Sequence, residues 1–431
     1  MKSRLLFLLC SAAALLVVCG YNVGQDRPVS TADFPELEPI ILDLATDLHV
    51  LAPELTDHGA YFQQVVANAD GKMTAYSEEL LEAFVHQVIR EAPEALILSG
   101  DLTFNGEAAS HRHLAAALGR IEEAGIPVFV LPGNHDLDNP MAAEFAGEGW
   151  RPVESVTAGE FAEIYRDFGY GEALARDDAS LSYAVELAPH LRLLLVDANA
   201  AEAPGAVSAE TLAWVERQLQ DAAEHSTWVV TVSHQNLLAH NRLFTEGYVM
   251  RNAAKLLALY ERYPVISNLS GHIHLQHTAE SAGGLKEIVT SSLAVSPHQY
   301  GMLRLEGTAA DYRTVPVNVA DWAREQGCQN SALLDFPETS RQFFRDSGYR
   351  QAMEVVRGAP NAADLAGFFA EVNAAYFAGR MDAAPWDDAL FDDWQEWDGF
   401  LSQYLASIQD SGFENQTMCN FPFGGRIYES Q

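Results

Sequence analysis

The chain has 431 residues, 48% of them hydrophobic and 20% charged. That is an ordinary balance for folded protein, too long for most single cores, and it excludes disorder or collagen-like structure as descriptions of the whole chain. Acidic residues outnumber Lys and Arg 60 to 26, for a formal net charge of -34; so negative a surface repels nucleic acid polymers, and an anionic substrate would need local positive charge, of which metal ions are one source.

Lys2 and Arg4 precede an uncharged, mostly apolar run from Leu5 to Cys19. Its length suits a signal peptide and is short for a membrane span of about 20 residues. The run ends Leu16-Val17-Val18-Cys19-Gly20, which looks like a bacterial lipobox, with Val18 where a small residue is usual. Residues 1–19 are therefore expected to be a signal peptide, the mature chain to be extracytoplasmic, and Cys19 to carry a lipid anchor to the cell membrane. An uncleaved anchor or simple secretion is the alternative. Residues 20–35, with Gly20, Gly24, Pro28 and Ser30, read as a linker.

From residue 36 onward, short apolar runs recur at 39–44, 95–98, 127–131, 227–232 and 265–269, each ending in a polar cluster. Rich in Val, Ile and Leu, they suit strands buried on both faces. Runs 181–187 and 191–196 suggest a hairpin. Helical spacing appears between the strands: Leu80, Leu81, Phe84 and Val88 in 77–91, a similar pattern in 110–124, and Leu212, Val215 and Leu219 in 209–223. The alternation argues an α/β domain over 36–318. Runs 287–291 and 302–317 look like antiparallel strands completing it.

Residues 319–431 read as a C-terminal α-helical domain. Trp386, Leu390, Trp394, Trp397, Leu401 and Tyr404 fall near helical spacing, with Asp387, Asp388, Asp392, Asp393 and Asp398 opposite. This predicts a helix with a buried aromatic stripe and a solvated acidic face; a carbohydrate-stacking or partner surface is the other reading. Whether these helices cap a site and limit substrate size is open. Beyond the signal, Cys328 and Cys419 either pair, closing a loop of roughly 90 residues, or stay as separate thiols.

Five blocks sit at the ends of predicted strands: Asp47-Leu48-His49, Gly100-Asp101, Gly133-Asn134-His135-Asp136, Ser233-His234 and Gly271-His272-Ile273-His274. The carboxyl ends of strands form the ligand-binding rim of an open α/β sheet, so side chains distant in sequence can converge there. Imidazole, carboxylate and amide oxygen donors suit Mn, Fe or Zn rather than Ca, and no Cys takes part, which removes structural zinc. Each block alone is ordinary: a lone Asp47 or His49 is a cap or a core hydrogen bond, and Asn134-His135-Asp136 is also turn chemistry. All five in this order, each after a strand, carry the argument.

The set D-x-H, G-D, G-N-H-D, H, G-H-x-H resembles the calcineurin-like metallophosphoesterase superfamily over roughly residues 38–317. The resemblance implies a β-sandwich of two mixed sheets flanked by helices, here with a C-terminal helical extension. It implies two divalent metal ions (Mn, Fe or Zn), one held by Asp47, His49 and His274, the other by Asn134, His234 and His272, with Asp101 bridging both. It implies hydrolysis of a small phosphoester by a metal-bridging hydroxide, with His135 beside the substrate assisting the leaving group. Asp136 is expected to orient His135. His240 and His298 are expected to reach the organic group of the ester, and His111 and His113 to lie on a helix in surface or capping roles. The Arg residues do not cluster into a phosphate clamp, so metals must supply most of the charge.

Phe104 stands where purple acid phosphatases have an iron-binding Tyr, and the G-D-x-V-D-R-G of protein Ser/Thr phosphatases is absent. Gly100-Asp101-Leu102-Thr103 with Asn105-Gly106-Glu107 resembles bacterial class III cyclic-nucleotide phosphodiesterase-like proteins. So do Ser110-His111, Phe168-Gly169-Tyr170 and residues 296–301. One departure is Gln235, where many members have a second His. The resulting expectation is a binuclear metal-dependent phosphodiesterase for cyclic nucleotides or related small phosphodiesters. A phosphomonoesterase or nucleotidase with the same site is the first alternative. The second is a non-catalytic envelope binding protein, which a missing ligand would signal; none is missing. Protein partners are not legible in the sequence.

Overall fold

Period-two alternation in the buried strands decides the architecture. Leu191, Leu193 and Leu195 enter one apolar core, while Leu194 enters another on the opposite face. Trp228, Val230 and Val232 make the same division against Val229. Successive side chains of a strand point to opposite faces, so a strand apolar at every position must be covered on both.

The computed structural model describes residues 29–200, 204–397, 399–424 and 427–428; the predicted signal peptide and Cys19 lie outside them. The main strands in chain order are β1 (Leu37–Ala45), β2 (Ala95–Ser99), β3 (Val128–Leu131), β4 (Tyr183–Ala188), β5 (Leu191–Leu195), β6 (Trp228–Val232), β7 (Val265–Ser270), β8 (His277–Glu280), β9 (Lys286–Val289), β10 (Gln299–Gly307), β11 (Ala309–Pro316) and β12 (Met418–Pro422). One sheet has the order β12-β11-β10-β1-β2-β3. Its β1, β2 and β3 run parallel, and β10 to β12 are antiparallel. The second sheet runs β8-β9-β7-β6-β5-β4, with the two-residue strand Ala175–Arg176 beyond β4. There β5, β6, β7 and β9 are parallel, and β4 and β8 pair antiparallel with β5 and β9. Both sheets are therefore mixed, and their facing sides share one core.

Helices close the outer faces. Among those of the domain are α1 (Ser77–Glu91), α2 (Ala108–Glu123), α3 (Ala209–Glu224) and α4 (Ala253–Tyr260). Phe84 of α1 and Leu118 of α2 join the main core, while Trp214 and Leu219 of α3 and Leu256 of α4 cover the second sheet. The main C-terminal helices are α5 (Phe336–Val356), α6 (Ala362–Phe377), α7 (Asp388–Gln395) and α8 (Phe400–Ser411). Their core contains Phe369, Trp394, Tyr404 and Ile408, and it also takes in Ile273, Leu275 and Val289 from the second sheet and its loops.

Three expectations change. The run at 287–291 is not simply antiparallel: β9 pairs parallel with β7 and antiparallel with β8. The aromatic stripe is not on one helix: Leu390 and Trp394 lie on α7, Leu401 and Tyr404 on α8, and Trp386 and Trp397 outside both. The break falls before α8 at Gly399, whose φ of 149° is open only to glycine, yet Trp394 and Tyr404 still meet in one core. The helical region also ends in a strand, because β12 pairs with β11 and returns the chain to the first sheet. Phe423 just beyond it packs edge-on against Trp228 at 4.9 Å. Cys328 and Cys419 are free thiols.

Trp394 is fully buried and its indole N–H donates to the Leu365 carbonyl at 3.0 Å. Trp394→Ala leaves a cavity and an unpaired carbonyl, and is expected to destabilise the protein by about 3–5 kcal/mol. Urea unfolding followed by circular dichroism measures it; a change within about 0.5 kcal/mol would show that this helical core is not integral to the fold.

Candidate metal centre

The five sequence blocks follow the carboxyl ends of β1, β2, β3, β6 and β7, which carry the parallel pairing of the two sheets. Their backbone is strained: φ is 52° at Asp47, 45° at His49, 49° at Asp101, 73° at His272 and 61° at His274. Such left-handed conformations cost about 1–3 kcal/mol each, persist only where surrounding structure over-determines them, and Asp and His tolerate them better than most residues. Here the over-determination is a lattice of main-chain bonds. Asp47 N–H donates to the Gly100 carbonyl, His49 N–H to that of Asp101 and Gly271 N–H to that of His234, each at 3.0 Å. Gly271 is required at its position, since a Cβ there would strike Thr46 and the Asp47 carboxylate.

The donors converge in two groups that share one residue. One donor atom each of Asp47, His49, Asp101 and His274 lies within 4.8 Å of the others, and so do those of Asp101, His234 and His272. Asp101 belongs to both, with Oδ2 3.8 Å from His49 Nε2 and Oδ1 3.3 Å from His234 Nε2. Asn134 Oδ1 is 3.2 Å from His234 Nε2, so it sits with the second group. The remaining atoms are tied back. Asp47 Oδ2 accepts from the His272 N–H at 2.9 Å and the Thr46 hydroxyl at 2.8 Å. His234 Nδ1 bonds the Ser99 carbonyl at 2.9 Å, which leaves Nε2 facing the cluster. Asp47 Oδ1 is buried and faces His274 Nε2, another donor of the same group, at 3.3 Å; a carboxylate oxygen and an imidazole nitrogen aimed at one point are what a shared cation would satisfy. The residues present therefore fit a pair of divalent metal ions.

Electrostatics agree with that reading. Burial alone would raise the Asp47 carboxyl, but the charge and hydrogen bond of His274 outweigh it and hold the carboxyl below its usual range. Burial would likewise raise Asp101, and His234 reverses the sign. Burial disfavours a charged His234, yet Asp101 beside it raises the imidazole to about 9. Burial, then the charge of Lys72, pushes His49 well down. Burial, then His234, pushes His272 to about 4. The site thus offers two carboxylates, imidazoles held neutral at His49 and His272, and a proton held between Asp101 and His234.

These residues open onto a cavity of 420 Å³ lined by Asp101, Asn134, His135, His272 and His274 on one side. The opposite wall belongs to the C-terminal helices, through Phe344, Phe369, Asn373, Phe400 and Tyr404, so those helices do face the site. His135 reaches the cavity with 35% of its side chain exposed, and its main-chain N–H donates to Asp101 Oδ1 at 2.9 Å.

Several expected roles fall to other residues. Asp136 does not orient the His135 ring. It is fully buried and accepts from the N–H groups of Leu102, Thr103 and Gly133 at 3.1, 3.0 and 2.8 Å, binding the second and third blocks together. The ring is instead held by Asn105, whose Oδ1 is 3.0 Å from His135 Nδ1; its only signal in the sequence was its place in the Gly100–Glu107 segment. His111 is not a surface residue, since it is buried between the Tyr165 hydroxyl at 2.9 Å and the Asp136 carbonyl at 3.1 Å. His113 does meet the surface, bonded to Glu78 at 2.5 Å.

His240 and His298, expected near the ester's organic group, are both buried away from the cavity lining. His240 Nε2 faces the buried Glu287 carboxylate at 3.2 Å and its Nδ1 faces His277 at 3.0 Å. His298 bonds the Leu293 carbonyl at 2.8 Å and packs on Phe336. In both, neighbouring main-chain and carboxylate partners claim a ring that sequence position alone had left free.

Metal uptake on the His234 side must displace the proton shared with Asp101. A raised pKa means that the competing protonated form dominates below about 9. Apparent affinity is therefore expected to rise about tenfold per pH unit up to that value and then level off. Isothermal titration of metal-free protein with Mn²⁺ in buffers of different ionisation enthalpy tests this, and absence of proton release at pH 7 would contradict it.

The chain resembles known proteins. Residues 43–276 match the calcineurin-like phosphoesterase family, and residues 318–412 match the C-terminal domain of cyclic nucleotide phosphodiesterase. The glycerophosphodiester phosphodiesterase GpdQ of Enterobacter lignolyticus is 29% identical over 188 residues, 43% of this chain and 58% of that protein. The 3',5'-cyclic adenosine monophosphate phosphodiesterase CpdA of Escherichia coli K12 is 25% identical over 284 residues, 65% of this chain and 89% of that protein. A dimetal phosphatase from Danio rerio has a TM-score of 0.49 at 16% identity, covering 64% of this chain and 96% of that one. With more than half of its length matched, and every donor from Asp47 to His274 inside the match, the chain belongs to the calcineurin-like phosphoesterase family.

Proposed function

We propose that the protein hydrolyses small phosphodiesters, cyclic nucleotides foremost, with two divalent ions of Mn, Fe or Zn. The carrying observation is the pair of donor groups joined through Asp101 at the floor of a cavity that also presents His135. The relatives named for cyclic AMP and glycerophosphodiester hydrolysis support a diester substrate, as does the match of the helical region to the C-terminal domain of cyclic nucleotide phosphodiesterase.

Asp47, His49 and His274 would hold one ion, Asn134, His234 and His272 the other, with Asp101 shared. Bound there, the ions neutralise phosphoryl charge and acidify water. Asp101 keeps the two positions in register, since each of its oxygens faces a different histidine. His135 stands at the cavity with its Nδ1–H donating to Asn105 Oδ1, which leaves Nε2 toward the departing oxygen, where the doubly protonated ring would donate. The aromatic side chains of the helical wall supply flat apolar surface for an organic substituent and exclude water from it. The protein is also, in this proposal, exported and tethered through a lipid on Cys19, which favours a scavenging or envelope role.

Bis-p-nitrophenyl phosphate is expected to turn over faster than p-nitrophenyl phosphate in Mn²⁺-loaded protein lacking residues 1–19. Asp101→Ala should lose both ions and about 10³-fold or more in rate, the size of losing a preorganised electrostatic stabiliser. Faster monoester turnover would move the assignment to a phosphatase or nucleotidase, and metal-independent turnover would sink it. For the anchor, full-length protein expressed in a bacterium should partition into detergent, and Cys19→Ala into the aqueous phase. Equal partitioning of the two would remove the lipid from the proposal.

A further inference from the structure

A cation that the sequence patterns did not single out lines the same cavity. Lys72 is one of four lysines in the chain, with Lys2, Lys255 and Lys286. It is only 8% exposed, although an ammonium is strongly hydrated and is seldom buried without a partner. Its ion pair is with Asp70 at 3.7 Å, and the Asp70 side chain is 82% exposed. A carboxylate so open to water screens poorly and contributes little. Among the described residues lining the cavity, Lys72 is the sole Lys or Arg.

Its placement is built rather than incidental. The Lys72 backbone pairs with Val295, and the next N–H, of Met73, donates to Ala294 at 2.8 Å. Leu293 and Ala294 in turn donate to Thr46 and Asp47, so this segment is stitched to the first metal-binding block. Gly71 has a φ of 82°, and a Cβ there would run into the Phe344 ring of α5. The helical region therefore grips the loop immediately before the lysine.

A fixed ammonium beside a site for two divalent cations opposes metal binding by simple Coulomb repulsion. It makes electrostatic sense there only when an anion joins the site. Lysine serves as a point-charge contact for phosphate, and such charge acts most strongly in a partly dry cleft.

We propose that Lys72 contacts the phosphoryl oxygens of the substrate, providing positive charge from the protein itself beside the metal ions. This rests on the phosphoesterase reading above. It goes beyond that reading in assigning a substrate contact outside the metal-binding blocks, on a loop clamped by the C-terminal helices.

The test compares wild type, Lys72→Met and Lys72→Arg as full-length, Mn²⁺-loaded proteins. Inorganic phosphate affinity is measured by calorimetry, and KM and kcat with bis-p-nitrophenyl phosphate. Lys72→Met should weaken phosphate binding and raise KM about tenfold or more, with two ions per chain and an unchanged circular dichroism spectrum; Lys72→Arg should recover most of the loss. Unchanged phosphate affinity and KM in Lys72→Met would overturn the proposal. So would a loss that excess Mn²⁺ restores, because the lysine would then act on metal occupancy alone. If wild type hydrolyses neither aryl ester, the phosphoesterase reading is what fails, and phosphate calorimetry still decides on Lys72.

Discussion

A buried carboxylate shared between two groups of histidines is the arrangement on which the site and much of the scaffold depend. Asp101 is 2% exposed, faces His49 and His234 with different oxygens, and sits in left-handed backbone. An unpaired charge at such depth would cost several kcal/mol. The surrounding protein meets that cost with facing imidazoles, with the His135 N–H, and with main-chain bonds that prevent the donors from moving apart.

Parallel strands make this possible. The donor blocks follow the ends of β1, β2, β3, β6 and β7, so a two-sheet sandwich with parallel centres delivers five loops to one rim. Strain concentrates there, as positive φ at five of the donors. The apolar core, by contrast, is regular, and in the second sheet its alternation divides between the sandwich interior and the helical cover. Stability comes from the core, and the strained rim is what it supports.

The helical region is part of the site rather than an appendage. Ile273, between the donors His272 and His274, is buried in its core, and Phe344 holds the turn that precedes Lys72. Binding metal and shaping the cavity are thus mechanically linked, because one packed cluster supports a donor loop from behind and forms the wall facing it. The return of β12 to the first sheet fastens the far end of the region.

The sequence by itself determined the elements whose signals are local. Apolar runs bounded by polar clusters marked the central strands, helical spacing marked α1 and α3, and Asp47, His49, Asp101, Asn134, His135, His234, His272 and His274 stood out because each follows a strand. What only the tertiary structure decided depends on which side chains meet. Asn105 and not Asp136 holds His135, since the Asp136 carboxylate is taken up by three backbone N–H groups. His240 and His298 were as plausible by type as His135, but packing turned them toward Glu287 and Leu293. Lys72 lies in no motif, on the stretch of chain between the first two donor blocks; a backbone pairing with Val295 and a ring from α5 bring it to the cavity. Periodicity and spacing record which face a residue presents to its own element, whereas a substrate contact is set by the elements packed against it, and these are separated from it by up to hundreds of residues of chain.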